Sequence, residues 1–326
     1  MSKFTIRPLR KEDYPAAASL INFLWSVPIT AEQLQADEES IPPGQLHYNE
    51  DGELMGWDRP KWVAENEQGD VIGYTIIWRA PWGEPGNLNL TLVVHPEERG
   101  YGVGRALYDE VSSWAQKVKA SRLICFMKED DETSLRFAQR RGYEQERHTF
   151  ESVLGLSSFS NEDLFQCIGT AEQSGIRFVT LADEPGEENE RKLYDLYRIT
   201  HQDIPGYNED FPWFEEWRKW NLDMPGVEPK YIHIAKDGEG YIGVVTLQKN
   251  EEINAMYHQY TGVLPEYRGK RIGLALKLLG IQSARAEGAT SLRTHNDSMN
   301  APMLRINRDL LGFNAVPGNY KMVCKI

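Results

Sequence analysis

A glycine-bearing stretch occurs twice in this chain, and that duplication limits the possible folds more than any other feature of the sequence. The first copy, Thr91–Asp109, reads TLVVHPEERGYGVGRALYD, and the second, Thr261–Lys277, reads TGVLPEYRGKRIGLALK. In each copy an apolar run ends in Val-x-Pro-x-x-Arg-Gly, a turn follows, and an apolar segment without proline begins. Each copy therefore predicts a strand, a tight loop and a helix.

The first loop has the composition of an anion site. Gly100, Gly102 and Gly104 follow Arg99 and allow backbone N–H groups to turn toward a common point. The helix that follows adds unpaired amides and the positive end of its dipole. No Gly-Lys-Ser/Thr follows, as a Walker loop requires, and the spacing departs from the Gly-x-Gly-x-x-Gly of dinucleotide folds. We therefore expect an anion to bind here.

Length and charge narrow the class of protein. A chain of 326 residues is comfortable for two domains, each large enough to bury its own core. The formal net charge of −13 argues against general nucleic-acid binding. Residues 265–326 nevertheless carry ten Lys and Arg against four Asp and Glu, which suits a small polyanion, although an uneven solvated surface is the plainer explanation.

Cellular location and cysteine chemistry follow from what the sequence lacks. It has no apolar run near eighteen residues and no apolar core of a signal peptide after Met1, so we expect a cytoplasmic protein without a membrane partner. Cys125, Cys167 and Cys324 are isolated in sequence, and we expect them to be small buried hydrophobes. No clustered His, Cys or Asp pattern predicts a metal site.

The same order of predicted elements is found in both halves of the chain. Strands are predicted at 4–9, 61–65, 71–78 and 87–94 in the first half, and at 176–181, 231–236 and 241–249 in the second. Nearly constant spacing between the matched elements indicates an internal duplication. The pattern predicts the α/β class, with domains at 1–156 and 176–326 joined by a helical linker at 157–175.

The two loops resemble motif A of the GNAT acyltransferases, Arg/Gln-x-x-Gly-x-Gly/Ala, which binds the pyrophosphate of acetyl-CoA. Motif B of the same family resembles two further segments, FAQRRGYEQERHTFESVL in the first half and Asn300-x-x-Met303 leading to Gly312-Phe313 in the second. The resemblance implies an α+β fold of two tandem domains, each a mixed, mostly antiparallel sheet flanked by helices, with a splayed central strand pair. The organisation is similar to tandem GNAT proteins of the mycothiol synthase type, in which the C-terminal half performs the chemistry.

The resemblance also implies the residues that bind acetyl-CoA. In the second loop Arg271 stands where the motif has its first required glycine, and Lys270 and Arg271 are expected to meet phosphate oxygens directly. Backbone amides near Val94 or Val263 are expected to polarise the thioester carbonyl. The full predicted set is Val94, Arg99, Gly100, Gly102 and Gly104 in the first half, and Val263, Arg268, Gly269, Lys270, Arg271, Gly273, Asn296 and Asn300 in the second.

The position at which the family commonly has an acidic tyrosine differs in both halves. It is Ala138 in the first half, and a methyl group cannot give up a proton, so that half is predicted to bind acyl-CoA with little or no chemistry. In the second half it is Asn307, whose amide can hydrogen-bond a thiolate but cannot act as an acid. Asn296, Asn300 and Asn307 are interpreted as ligand-facing amides or, equally, as helix caps and turns.

Tyr257 and His258 are the candidates for moving the proton of the amine. The resemblance implies that a residue of this strand relays that proton, usually a Glu, and no Glu follows Glu252 on the strand. Alternation places Tyr257 on one face with Gln259, and His258 on the other face with Tyr260. A lone histidine on a strand is more often a packed residue than a catalytic one.

An aromatic-rich insertion lies between residues 200 and 229. Its aromatic side chains are interpreted as core or, by the resemblance, as a lid over the acceptor channel. In the second case Asp203 and Glu209 are the carboxylates best placed to hold a cationic amine.

The leading hypothesis is therefore acetyl transfer from acetyl-CoA to a primary amine of a small molecule by direct attack, in a monomer or homodimer without a metal. A non-catalytic acyl-CoA-binding or regulatory module is the alternative, and a nucleotide-binding protein is a third hypothesis.

Overall fold

The computed structural model describes residues 4–24, 28–41, 44–80, 83–207 and 211–326. The chain forms two compact units. One consists of Met1–Glu146 and Tyr320–Ile326, and the other of Arg147–Asn319.

The first unit is a sheet with helices packed on it. Its strands are β1 (Phe4–Pro8), β2 (Gln45–Tyr48), β3 (Leu54–Trp57), β4 (Lys61–Asn66), β5 (Val71–Trp78), β6 (Asn87–Val94) and β7 (Arg122–Lys128), and its helices are α1 (Tyr14–Ile21), α2 (Ala31–Ser40), α3 (Val103–Lys117) and α4 (Glu132–Gln139). The main sheet runs β1-β4-β5-β6-β7, antiparallel except for the parallel pair β6–β7. The hairpin of β2 and β3 forms a separate two-stranded sheet.

The second unit repeats this plan. Its strands are β8 (Glu144–Gly155), β9 (Ile176–Thr180), β10 (Ile232–Asp237), β11 (Gly240–Asn250), β12 (Ala255–Val263), β13 (Ser291–Asp297) and β14 (Asn314–Ala315), and its helices are α5 (Gln166–Gln173), α6 (Glu187–Thr200), α7 (Phe214–Asn221), α8 (Ile272–Ala286) and α9 (Ala301–Leu304). The sheet runs β8-β13-β12-β11-β10-β9, with only β12–β13 parallel. A π-helical segment, Arg305–Leu310, continues α9.

The duplicated helices α3 and α8 pack on their sheets in the same way. Apolar residues at helical spacing, such as Val103 and Leu107, place one face of α3 in the core. A Cβ at Gly73 of β5 would lie 2.9 Å from Leu107 Cδ1, and one at Gly243 of β11 would lie 3.0 Å from Leu276 Cδ1. The matched glycines let the helix approach the strand closely. The mixed α/β class and the tandem arrangement predicted from the sequence are confirmed.

The last strand, β15 (Asn319–Lys325), belongs to the first unit from Tyr320 onward. Met322 is 2 % exposed and packs in one cluster with Leu123 and Cys125 of β7, and the Ile326 N–H donates to the Ser121 carbonyl at 3.0 Å. Strand β8, which follows α4 in sequence, pairs with β13 in the second unit. The compact units therefore interleave along the chain, whereas the duplication in the sequence divides it at residues 157–175.

Candidate functional site

The loops that follow β6 and β12 have the same backbone course. Gly100 and Gly102 have φ angles of +86° and +94°, and in the second unit Gly269 and Arg271 have φ angles of +77° and +61°. Gly102 and Arg271 each immediately precede a helix of 15 residues. Arg271 thus adopts the left-handed conformation that a glycine adopts in the first loop, at a cost of roughly 1–2 kcal/mol for an L-residue.

Both loops are open around their glycines. A Cβ built on Gly100, Gly102 or Gly269 has no described atom within 4 Å. The first N–H groups of α3 and α8 have no partner within their helices and lie beside these bends. Gly104 and Gly273 lie one turn further on, where a Cβ would contact Phe137 Cε2 at 3.4 Å and Val263 Cγ2 at 3.6 Å. An anion can therefore approach the backbone of either loop.

One arginine ties each loop to its strand. Arg99 Nε donates to the Val94 carbonyl oxygen at 3.2 Å, and Arg268 Nε donates to the Val263 carbonyl oxygen at 3.0 Å. In the second unit both terminal nitrogens of Arg268 also contact the Asp203 carboxylate, with Nη1 3.3 Å from Oδ1. The structure thus joins the predicted cofactor-binding Arg268 to the predicted substrate-binding Asp203. The other predicted carboxylate, Glu209, lies outside the described residues.

In each unit the two parallel strands stop pairing before they end, and we call the gap between their unpaired ends the fork. Strands β12 and β13 are paired from Ala255–Ser291 to His258–Thr294, and β6 and β7 only from Asn87–Arg122 to Asn89–Ile124. Beyond these pairs, no strand in the described part of the chain pairs with the edge of β12 that faces β13, as far as Val263. Unpaired backbone groups on a diverging strand are available to a ligand.

A β-bulge at Gln259 changes the predicted faces of β12. Thr246 pairs with Tyr260, but the next residue, Leu247, pairs with His258, so Gln259 is an extra residue. Tyr260 consequently stacks on Tyr197 of α6, with ring centroids 4.1 Å apart. His258 lies on the opposite face, beneath α8. The prediction that His258 and Tyr260 share a face was wrong, because simple alternation does not allow for the bulge.

His258 is buried in the core rather than exposed at the fork. It is 3 % exposed, and its Nδ1 lies 3.2 Å from Nζ of Lys277, which is 1 % exposed. Burial, followed by the nearby Lys277 charge, lowers the pKa of His258 well below its ordinary value. Burial also lowers the pKa of Lys277 to about 7.

The three predicted asparagines have different surroundings. Asn307 Nδ2 donates to Asn296 Oδ1 at 2.7 Å, and Asn296 Nδ2 donates to Ser152 Oγ at 2.9 Å, all three residues being buried. Asn307 Oδ1 is buried without a hydrogen-bond partner among the described residues. Asn300 instead caps its helix, accepting from the Met303 N–H at 3.2 Å.

The corresponding position of the first unit is apolar. Ala138 is 1 % exposed and packs in the core with Tyr143 and Val111. At the start of the same helix, Asp131 caps the Ser134 N–H at 3.0 Å, in the place that Asn300 occupies in the second unit. The two units therefore share the backbone geometry of the helix cap, but Ala138 lies in an α-helix whereas Asn307 lies in the π-helical segment.

A histidine that the sequence-based predictions missed lies at the fork of the second unit. His295 follows Thr294, the last residue of β13 paired with β12, and its Nδ1 is hydrogen-bonded to Tyr257 Oη. Both side chains lie on the face opposite α8, since their neighbours Met256 and Leu292 pack beneath that helix. No local sequence pattern indicates this contact, because Tyr257 and His295 are distant in sequence.

The face of the sheet that carries Tyr257 and His295 also carries charged side chains, and a cavity lies beside them. Glu151 lies opposite His295 on β8, and it accepts hydrogen bonds from Arg293 Nε at 2.5 Å and Nη2 at 2.7 Å. These bonds lower the pKa of Glu151. A cavity of about 340 Å³ is lined by Glu151, Asn250, Ile253, Ala255, Met256, Tyr257 and Arg293.

Two classes of feature are absent from the described ranges. None of the helices there is long and apolar enough to cross a bilayer. Within the same ranges, no group of three or more His, Cys, Asp or Glu side chains is arranged to bind a metal ion.

Comparison with known proteins places this fold and its paired loops in a family. The sequence matches the acetyltransferase (GNAT) family over residues 19–143 and 167–313. The chain belongs to that family, and it is an N-acetyltransferase of tandem organisation. No protein of curated function matches the sequence significantly.

Solved structures share the tandem fold at low sequence identity. A GCN5-related N-acetyltransferase from Sphaerobacter thermophilus is 19% identical with a TM-score of 0.57, over 99% of this chain and 95% of that one. A tandem GNAT protein from the clavulanic acid biosynthesis pathway is 18% identical with a TM-score of 0.55, over 99% and 98%. A conserved protein from Enterococcus faecalis V583, described as a probable N-acyltransferase, is 15% identical with a TM-score of 0.52, over 100% and 73%.

Proposed function

We propose that this chain transfers the acetyl group of acetyl-CoA to a primary amine of a small molecule by direct attack, and that the second unit performs the transfer. The observation that carries the proposal concerns β12: an open, glycine-bearing loop lies at one end of the strand, and an open fork with a polar face lies further back along it. The donor's diphosphate and its thioester need these two features on one strand.

The loop of the second unit suits a diphosphate. Helix N–H groups and the bend at Gly269 supply backbone donors, and Arg268, Lys270 and Arg271 supply positive charge. Lys270 Nζ lies 4.8 Å from the centroid of the Tyr267 ring, which keeps its charge at the loop. We propose that Gly273 allows the donor to pass close to the first turn of α8.

The fork suits the thioester. Backbone N–H groups of β12 between the bulge and Val263 are free of β13, and donors aimed at a carbonyl oxygen stabilise the negative charge that develops during attack. The amine then approaches from the face of Tyr257, opposite the helix. No covalent enzyme intermediate is needed when both reactants are held side by side.

We propose that the first unit binds acyl-CoA without catalysing transfer. Its loop has the same arginine and the same left-handed bends, whereas Ala138 offers no proton. The assignment of Asp203 and Glu209 to the amine stays a prediction, and for Asp203 it competes with the contact to Arg268.

The test uses the two matched arginines. Release of CoA is followed with a thiol reagent while the protein is incubated with acetyl-CoA and a panel of primary amines. We expect release with at least one amine, strong suppression in Arg268→Ala, and near wild-type release in Arg99→Ala. Strong suppression in Arg99→Ala with near wild-type release in Arg268→Ala would assign the transfer to the first unit. Binding of acetyl-CoA without release with any amine would favour the non-catalytic alternative.

A further inference from the structure

The fork between β12 and β13 carries an imidazole with one nitrogen engaged and the other exposed. His295 is exposed, and it is the first residue of β13 beyond the last pair with β12. Its Nδ1 is held by Tyr257 Oη, while its Nε2 makes no hydrogen bond to any residue in the described ranges. A ring fixed at one nitrogen and open at the other can exchange a proton at the open nitrogen.

Charged side chains lie on both strands that flank the ring. Glu151 lies directly across from His295 on β8, and the attraction between the two charges contributes to the lowered pKa of the carboxyl. Arg293 neutralises part of that negative charge through its two hydrogen bonds to Glu151. On the face of the sheet that carries His295, the nearby charged and titratable groups of these strands include Tyr257 on β12, Glu151 and Arg147 on β8, and Arg293 and Asp297 on β13.

We propose that His295 is the general base of the acetyl transfer and that Tyr257 holds its ring in the reactive tautomer; this inference rests on the proposed function. Nδ1–H donates to Tyr257 Oη, which leaves the Nε2 lone pair facing the fork. The amine nitrogen forms a bond to the carbonyl carbon and gives its proton to Nε2. The carbon–sulfur bond breaks, and its electron pair stays on sulfur. The CoA thiolate takes a proton from water, and the imidazolium gives its proton to the hydroxide that remains, which restores neutral His295.

Neither of the other candidates on these strands can take this role. His258 points beneath α8 into the core, on the face opposite the amine's approach. Burial raises the pKa of Tyr257, so its hydroxyl keeps its proton and serves as a hydrogen-bonding partner. His295 is therefore the base that the geometry of the fork provides.

The kinetic test compares His295→Gln with wild type, using His47→Gln, an exposed histidine on β2 of the first unit, as the matched control. We expect kcat to fall by about 100-fold or more in His295→Gln, as for loss of a general base. The acid limb of the pH–rate profile, present in wild type and in His47→Gln, should disappear. Calorimetric affinity for acetyl-CoA and the thermal midpoint should stay unchanged, which shows that the fold and the donor site are intact.

The second test measures which ring nitrogen of His295 carries the proton, and it does not depend on catalysis. Nitrogen-15 NMR of the His295 ring should show Nδ1 protonated and Nε2 bare at high pH, and Tyr257→Phe should redistribute the two tautomers. A proton on Nε2 in wild type would overturn the assignment, because that nitrogen could not accept another.

The possible failures are distinct. A wild-type rate retained in His295→Gln, with the acid limb in place, overturns the base while leaving the acetyltransferase function standing. Absence of transfer to every amine by the wild type overturns the proposed function and the base with it.

Discussion

Asp203 binds the guanidinium group of Arg268 while Nε of the same arginine donates to the Val263 carbonyl oxygen at 3.0 Å. The loop that is proposed to bind a diphosphate is therefore linked to the short helical turn after α6. A diphosphate and the Asp203 carboxylate compete for the same terminal nitrogens of Arg268.

Replacing Asp203 with Asn should tighten acetyl-CoA binding. The ion pair is partly exposed, so the gain is limited to about 1 kcal/mol, or roughly fivefold in affinity. Calorimetry measures it, with Asp195→Asn as a control that removes another exposed partner of an arginine. Should the acetyl-CoA affinity stay constant while the KM of the amine rises, Asp203 binds the acceptor instead.

Replacing Arg271 with Gly should separate backbone strain from charge. Glycine relieves the left-handed strain but adds freedom to the unfolded chain, so the free energy of unfolding should change by no more than about 1 kcal/mol. Acetyl-CoA affinity should fall because one positive charge leaves the loop. Denaturant unfolding and calorimetry report the two quantities, and unchanged affinity would remove Arg271 from the site.

The buried Lys277 should make stability depend on pH. Its folded pKa of about 7 lies below the ordinary lysine value, so between these values the unfolded state binds more protons and stability rises with pH. The contribution is fully present above the unfolded pKa and is lost as pH falls through the folded pKa. Relative to Lys277→Met, the wild type should gain at most about 1.4 kcal/mol per pH unit above pH 7.

Urea unfolding at several pH values above neutrality measures that slope for both proteins. Parallel stability profiles for wild type and Lys277→Met would contradict a lowered lysine pKa. His258, the hydrogen-bonding neighbour of Lys277, has its own pKa well below the range used, so it does not contribute to the slope.

Truncating Met322 should destabilise the first unit. The side chain is 2 % exposed and packs against β7, so Met322→Ala should cost about 2–5 kcal/mol. Hydrogen exchange should speed up in β7 while α8 of the second unit keeps its protection. Lys325→Ala, at an exposed position on the same strand, should leave the stability and the exchange rates of both units unchanged. Faster exchange confined to the second unit would contradict the assignment of β15.

The loop geometry could be predicted from the sequence because it depends on local backbone preferences. Gly100 and Gly102 predict a bend because glycine readily adopts positive φ angles, and the second copy repeats the bend with Arg271 in place of the second glycine. The roles of these residues in binding stay predictions. The helix expected after the first loop is α3, Val103–Lys117, whose apolar spacing is regular.

Features that depend on distant partners could not be predicted in this way. The bulge at Gln259 exists only relative to the register of β11, and the contact between Tyr257 and His295 joins residues on two strands separated by α8. The hairpin of β2 and β3 was not predicted, since each of its strands has only four residues and its pairing is separate from the main sheet. Leu54, fully buried, attaches it to the core, and the partly buried Leu46 packs against the same cluster.

The interleaving of the units has a consequence for synthesis on the ribosome. Domains generally fold as units from the N-terminus as the chain emerges. Here the sheet of the first unit lacks β15 until Tyr320–Ile326 have been translated, after the whole of Arg147–Asn319. A nascent chain therefore holds β7 with an unfilled edge for most of its elongation, and the unit made first is the one finished last.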